Sequence, residues 1–139
     1  TPSLSARLHR RIYEEHPEIS NVIIAHSPAI MAFAVTDAEF DSRTIPESYI
    51  MLRDVRRLPY AASALDVEAI SDSFDERCPV VIVNNKCVVV TGSSLLNAFD
   101  RLEVLEYSAS AMIAARDIGP LVMITDSEVD DIKTAFHLK

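Results

Sequence analysis

The chain contains two kinds of segment, one in which apolar residues recur at helical spacing and one in which they form short continuous runs. The helical segments carry apolar residues three or four positions apart, and the continuous runs are rich in valine and isoleucine, as in buried strands. The predicted helices are 3–16, 28–35, 46–52, 66–77, 94–117 and 126–136, and the predicted strands are 21–25, 57–60, 79–83 and 87–91. This order predicts an α/β fold with a layered central β-sheet flanked by helices, in a single domain over residues 1–139.

Two segments carry specific local signals. Asn84-Asn85-Lys86 separates two β-branched runs, which predicts a β-hairpin. The longest helix has an apolar stripe that we expect to face the core, formed by Leu95, Phe99, Leu102, Leu105, Ala109, Met112 and Ile113. Glu106 falls on this stripe, and we interpret it as a buried glutamate paired with an arginine, or one at the stripe edge, rather than as a catalytic acid.

Composition and charge exclude several classes of protein. The chain of 139 residues has a formal net charge of −8, from 21 acidic and 13 basic residues, and such a surface disfavours phosphate backbones. We therefore expect no nucleic-acid partner. No apolar run approaches the ~20 residues that span a bilayer, and no secretion signal is seen, so we expect a cytoplasmic protein without membrane contact. Cys78 and Cys87 have neither zinc-knuckle nor redox spacing, which favours buried, reduced thiols.

Anion binding can be judged from the basic residues and from the glycines. The two local groups of basic residues are 7/10/11 and 53/56/57. Such groups are more often solvated helix faces than anion sites. Gly92 and Gly119 are the two glycines of the sequence, and both lie at predicted helix boundaries. A glycine-rich loop that binds the phosphates of a nucleotide needs several glycines close together, so this sequence does not contain such a loop.

Three groups of motifs follow one another along the chain. Residues 2–9 read PSLSARLH, and residues 22–28 read VIIAHSP. An Ile-Pro pair at 45–46 precedes Leu-Pro-Tyr at 58–60, and the hairpin and long helix follow. In order and spacing these motifs resemble the class II aldolase/adducin family, whose corresponding motifs are P-S-S-E-x-x-x-H, H-x-H-[ST]-P and N-H-G. The resemblance implies the fold of that family without its N-terminal strands, so we expect a fragment or one domain of a longer protein.

The resemblance also assigns four positions to a metal pocket. In the family, three histidines hold Zn²⁺ and the glutamate of P-S-S-E works with the metal, whereas the matching positions here are Ile24, His26, Lys86 and Ser5. His26 is the one retained ligand. A catalytic zinc site needs about three protein ligands, and a protonated lysine repels a dication. We therefore expect these four residues to line a substrate pocket, with no metal and no other cofactor.

Several candidate residues keep more than one interpretation. Lys86 has three interpretations. It is a solvated lysine of the hairpin, a cation that replaces the charge of the metal, or a desolvated nucleophile that forms a Schiff base. Tyr49 and Tyr60 fall where the family supplies tyrosines near the substrate, and they are catalytic partners of Lys86 or packing residues. We expect Ile24 to be fully buried, and His26 to be largely buried beside a cavity near the hairpin.

Two functional hypotheses follow from the resemblance. In the first, the domain has lost metal-dependent aldol cleavage of sugar phosphates and acts as a binding or assembly module. The alternative is a class II-like aldolase or lyase that acts on a small sugar phosphate or aldehyde, through Lys86 or through residues of a further N-terminal segment. In both cases the resemblance implies a homo-oligomer, which we expect to form through a sheet edge or through residues 28–60.

Overall fold

The computed structural model describes residue 3, residues 5–60 and residues 66–139. Positions 2 and 4 of the first motif lie outside the described residues. The described elements are α1 (Ala6–Glu15), β1 (Asn21–Ala25), α2 (Pro28–Ala34), α3 (Pro46–Leu52), β2 (Val55–Leu58), α4 (Val67–Asp72), β3 (Val80–Val83), β4 (Cys87–Gly92), α5 (Leu95–Ala115) and α6 (Asp126–Ala135). Within the described residues, no helix combines the length and the apolar character that a membrane crossing requires.

The predicted elements are confirmed, although the boundaries of most of them are shifted. Two of the shifts have a clear physical reason. The helix that begins after Asp66 ends at Asp72 instead of residue 77, because the chain turns where the Asp75 carboxylate accepts the main-chain N–H bonds of Arg77 and Cys78. Strand β2 begins at Val55 instead of residue 57, because residues 55–58 pair in parallel with 80–83.

The four strands form one mixed sheet with the order β1-β4-β3-β2. Strands β3 and β4 form the predicted hairpin, and Asn85 takes the left-handed conformation, with φ 57°, that asparagine tolerates in tight turns. Strand β1 pairs antiparallel with β4, from Asn21 opposite Gly92 to Ala25 opposite Val88. Among the described residues, β1 and β2 each have a neighbour on one side, so both are edge strands.

Helices cover both faces of the sheet, as the apolar runs predict. Alternate strand residues point to opposite faces. On one face, Val80 and Ile82 pack in a cluster with α2, α3 and α5, and on the other face Val81 and Val83 pack in a cluster with α1 and α4. The central strands β3 and β4 are buried along their whole length, which accounts for their continuous apolar sequence.

The predicted apolar stripe of α5 is wrong at its first two residues and at its last. Leu95 and Phe99 are 66% and 54% exposed, and Ile113 is also exposed. The buried residues of α5 are Ala98, Val104, Leu105, Ser108, Ala109 and Met112. The reason is close packing at the start of the helix, where a Cβ on Gly92 would lie 2.5 Å from the main-chain nitrogen of Ala98. Small residues must meet at that contact, so the large side chains of the first turns are turned outward.

Candidate functional site

The positions that resemble the family's metal site gather around one end of the sheet. Ala25 is paired with Val88, and Val83 with Cys87, so His26 and Lys86 both follow strands at the hairpin end. The hairpin is held to α2 by a bond from the Asn85 N–H to the main-chain oxygen of Ala34, at 2.8 Å. Ser5 is the N-cap residue of α1, which packs on the same face of the sheet as Ile24.

The burial expected for Ile24 and His26 is wrong. Ile24 is half-buried against the cluster beneath α1, and His26 is exposed. None of the three clefts identified in the described residues is lined by either side chain. The physical reason is that β1 is an edge strand, so no neighbouring strand covers its outer side within the described residues.

The side chains at these positions do not fit a zinc ion. Ile24 offers no donor atom, and the hydroxyl of Ser5 and the ammonium of Lys86 are poor replacements for a carboxylate and an imidazole. Burial raises the pKa of the neighbouring Cys87 thiol, which disfavours the thiolate that a metal would need. In the described part of the chain, no three His, Cys, Asp or Glu side chains lie close enough together to hold a metal ion.

A contact that the sequence did not predict fixes the turn after His26. The Glu106 carboxylate accepts the main-chain N–H bonds of Ala29 and Ile30, at 2.8 and 3.0 Å, and so caps the N-terminus of α2. Of the two interpretations of Glu106, the pairing with an arginine is wrong, whereas a position at the edge of the stripe agrees with its half-buried side chain. Its partners are the free N–H groups of a helix end. The helical pattern placed Glu106 on the core-facing side of α5 but gave no sign of this partner.

Of the three candidate catalytic side chains, Tyr49 lies at a different end of the sheet from Lys86 and Tyr60. Lys86 is half-buried in the hairpin, and Tyr60 is exposed just after β2. Tyr49 is buried on α3 and lines a cleft near the start of β2, at the end of the sheet away from the hairpin. The structure therefore does not bring Tyr49 together with Lys86 in one pocket of this chain.

The cleft that Tyr49 lines has the largest volume of the three clefts identified in the described residues, about 430 Å³. Its polar walls contain four cationic side chains, Arg43, Arg53, Arg77 and Lys133, and three carboxylates, Glu39, Asp41 and Asp54. Sequence reasoning found Arg53 in a basic group but missed the other three cations. The sequence gave no sign that these cations lie together, because they are far apart along the chain. Lys133, for example, lies on α6, far in sequence from the α3–β2 connection.

Comparison with known proteins agrees with the motifs and the fold. Residues 1–113 match the model of the class II aldolase and adducin N-terminal domain. The L-fuculose phosphate aldolase of Methanococcus vannielii is 30% identical over 106 residues, which cover 76% of this chain and 57% of the relative. The 3-oxo-tetronate 4-phosphate decarboxylase of Haemophilus influenzae is 27% identical over 139 residues, which cover 95% of this chain and 65% of the relative.

Solved structures show the same architecture. The YgbL protein of Klebsiella pneumoniae superposes with a TM-score of 0.79 at 26% identity, over 95% of this chain and 66% of that chain. The L-fuculose 1-phosphate aldolase of Glaciozyma antarctica shares the fold, with a TM-score of 0.74 at 18% identity, over 92% of this chain and 49% of that chain. This chain thus spans less than two thirds of the length of these relatives. Because the family model matches most of its residues, the chain belongs to the class II aldolase and adducin family.

Proposed function

We propose that this domain has lost metal-dependent aldol cleavage and acts as a binding or assembly module. The observation that carries the proposal is the set of side chains at the family's ligand positions, where Ile24 and Lys86 stand in place of two imidazoles. A single retained imidazole, His26, does not hold a catalytic metal ion. Without a metal, the chain has no Lewis acid to stabilise the enediolate that this aldol cleavage forms.

The surroundings of His26 support the proposal. His26 is exposed, and its strand neighbour Ile24 is an apolar residue packed on the cluster beneath α1. A catalytic imidazole ligand is normally held in place by a second hydrogen bond, and a strand at the sheet edge gives His26 little shelter from water. These features do not suit a metal centre at His26.

An assay with L-fuculose 1-phosphate, the substrate class named for the relatives, tests the proposal. We expect the chain to release no triose phosphate above background in the presence of zinc. A matched variant, Ser5→Glu, Ile24→His and Lys86→His together, restores the family's ligand set and should bind zinc. A control that adds His26→Ala to this variant should lose that zinc. Zinc-dependent cleavage by the unmodified chain, abolished by a chelator, would overturn the proposal.

The second candidate is an aldolase or lyase that uses Lys86. The half-buried ammonium has no ion pair with any carboxylate among the described residues, and such a lysine is available for covalent chemistry. Once the ammonium has lost a proton to solvent, its Nζ would attack an aldehyde carbon, the resulting carbinolamine would lose water, and a C=N bond would form. Borohydride reduction then leaves a secondary amine, which mass spectrometry locates. Labelling of Lys86 in preference to exposed Lys139 would favour this candidate, and equal labelling would exclude it.

We also propose that the chain forms a homo-oligomer. The exposed apolar side chains of the first turns of α5, Leu95, Leu96 and Phe99, are between 54% and 68% exposed. The edge strands β1 and β2 add unpaired main-chain groups in the described part of the chain. Both features favour association, and the exposed α5 residues add a third surface to the two that the sequence suggests.

A further inference from the structure

Helices α2 and α5 leave a groove between their C-terminal ends. Glu106 of α5 caps the start of α2, and further along both helices Phe33 packs in one cluster with Met112, so the two helices run in the same direction. The groove lies where both helices end, since Thr36 and Arg116 line it. Its volume is about 360 Å³, which is in the range of binding sites.

The inner surface of the groove is apolar. Phe33 and Met112 form its buried floor, and Ile113 and Leu121 stand at its sides, 40% and 44% exposed. The connection that carries Leu121 exposes two further apolar side chains to 88%, those of Ile118 and Val122. Apolar surface gathered in this way is unusual on a free protein and marks a place that another molecule covers.

The rim of the groove is acidic. Glu39 lines it, and Asp37 and Asp117 are chain neighbours of lining residues. None of these three carboxylates lies within ion-pair distance of a cation in the described part of the chain. Arg116 is the one cation among the lining residues. A basic molecule would therefore meet more carboxylate than guanidinium charge at this rim.

Arg57 of β2 holds the acidic side of the groove in place. Its Nη1 donates to the main-chain oxygen of Thr36 at 2.8 Å, and its Nη2 donates to that of Ala38 at 2.6 Å. Nη1 also donates to the side-chain oxygen of Asn84 at 3.2 Å. These partners are uncharged, so the guanidinium orders the segment that carries Glu39 without forming an ion pair with it. An ordered rim lowers the entropy lost on binding.

The walls of the groove favour a helical occupant. Two helices form them, and the main-chain N–H and C=O groups inside a helix bond to one another. An extended segment would therefore find few free main-chain partners here, unlike at a sheet edge. A helix satisfies its own main-chain groups, and its side chains pack between the ridges of neighbouring helices. Apolar residues three or four positions apart would fill the groove, and flanking basic residues would meet the rim.

A second copy of this chain has no suitable helix to offer. Among the described helices, α1 is the one with more basic than acidic residues. Its apolar residues Leu8 and Ile12 are fully buried in the cluster on the opposite face of the sheet. The net charge of −8 also opposes the approach of a second copy. The occupant that fits both the apolar surface and the charge of the groove is therefore a different protein.

We propose that this groove binds a basic amphipathic helix of a partner protein. Ile113 and Leu121 receive its apolar side chains, and Glu39 meets its lysine or arginine side chains. The inference names a partner for the binding role proposed above and rests on it. None of the four positions that resemble the metal site lines the groove, so binding of the helix is measured without metal or substrate.

A fluorescent helical peptide of about 18 residues, with leucines along one face and lysines on the other, probes the groove. We expect saturable binding, followed by fluorescence anisotropy at constant ionic strength. Ile113→Glu and Leu121→Glu should each weaken the affinity about tenfold or more, since an apolar contact is replaced by a carboxylate. Both side chains are exposed, so these variants should fold. Leu96→Glu, at the other end of α5, is the matched control and should change the affinity less than about twofold.

Charge variants test the acidic rim separately. Glu39→Lys should weaken binding severalfold, whereas Arg116→Gln should strengthen it, because a like charge is removed from the rim. A peptide in which lysine is replaced by glutamate should bind at least about tenfold more weakly. A peptide of the same composition in scrambled order, without an apolar face, should also bind at least about tenfold more weakly.

Several results would overturn the proposal. These are the absence of saturable binding up to hundreds of micromolar peptide, equal binding of the scrambled peptide, and a loss with Leu96→Glu as large as that with Ile113→Glu. Sedimentation in which Ile113→Glu converts an oligomer into a monomer would assign the groove to a second copy instead. Failure of peptide binding is distinct from zinc-dependent cleavage by the chain, which would contradict the proposed function.

Discussion

The Glu106 carboxylate on α5 accepts the main-chain N–H of Ile30 at 3.0 Å, across 76 residues of sequence. Its second oxygen accepts the N–H of Ala29 at 2.8 Å, so a single side chain satisfies two free donors at the start of α2. The short helix α2 has no side-chain cap of its own at Ser27. Glu106 therefore sets where α2 begins, and with it the turn that carries His26.

Replacing this carboxylate should destabilise the fold. Glu106→Gln keeps one acceptor oxygen but loses the charge at the helix N-terminus, and we expect a loss of about 1–2 kcal/mol in the free energy of unfolding. Urea denaturation followed by circular dichroism measures it. Glu103→Gln, an exposed change on the same helix, serves as the control and should cost less than about 0.5 kcal/mol. Equal effects of the two substitutions would show that the cap contributes nothing.

The two glycines should respond in opposite ways to alanine. A Cβ at Gly92 would lie 2.5 Å from the main-chain nitrogen of Ala98, so Gly92→Ala must push α5 away from β4. We expect a loss of about 1–3 kcal/mol, as for other overpacked sites. Gly119 has open space around its Cα and no positive φ, so Gly119→Ala should be neutral or stabilising by up to about 1 kcal/mol. Thermal melts of both variants decide the matter, and a neutral Gly92→Ala would contradict the packing described for α5.

Tyr107 should titrate at unusually high pH. Burial first, and then its hydrogen bond of 2.8 Å to the Glu47 carboxylate, raise the pKa of the phenol to about 12. The unfolded phenol titrates near 10, so the folded state holds the proton more tightly between these values. The resulting stabilisation is complete below pH ~10 and is lost as the pH rises towards ~12. Ultraviolet absorbance of the phenolate, compared with that of Tyr107→Phe, checks this: the variant should lose the component that titrates near pH 12. Loss of a component near pH ~10 instead would contradict the prediction.

Much of the fold followed from the sequence because its signals are local. Proline at the first turn marked α2 and α3, Asp66 marked α4, and the Asn-Asn-Lys turn marked the hairpin. The outward orientation of Leu95 and Phe99 in the first turns of α5 did not follow. It depends on the close approach of Gly92 and Ala98, a tertiary contact that the apolar periodicity of the helix does not encode.

The candidate site was predictable only in part, for the same reason. The family resemblance assigned Ser5, Ile24, His26 and Lys86 to one pocket, and the strand register places His26 and Lys86 at the same end of the sheet. The exposure of His26 depends on which strand lies at the edge of the sheet, and local sequence patterns do not determine the order of the strands. The cleft beside α3 is formed only when α6 brings Lys133 to the α3–β2 connection, so it was visible only in three dimensions.

Self-association is the expected consequence of the open edges and of the apolar surface of α5. We expect sedimentation velocity to show a species larger than a monomer at micromolar concentrations, burying upward of ~1,000 Å² as specific interfaces do. The net charge of −8 opposes association, so added salt should strengthen it modestly. The double change Leu96→Glu and Phe99→Glu should weaken the association if α5 forms the contact. A monomer at high micromolar concentration in both low and physiological salt would rule out the homo-oligomer.

If this family member has no catalytic metal centre, the purified chain should contain almost no bound metal. The chain should be expressed in zinc-supplemented medium, dialysed against metal-free buffer, and analysed by inductively coupled plasma mass spectrometry. With Ile24 and Lys86 in place of two imidazoles, we predict far less than one equivalent of any transition metal per chain. About one equivalent of metal per chain, retained through dialysis and lost on His26→Ala, would contradict the account.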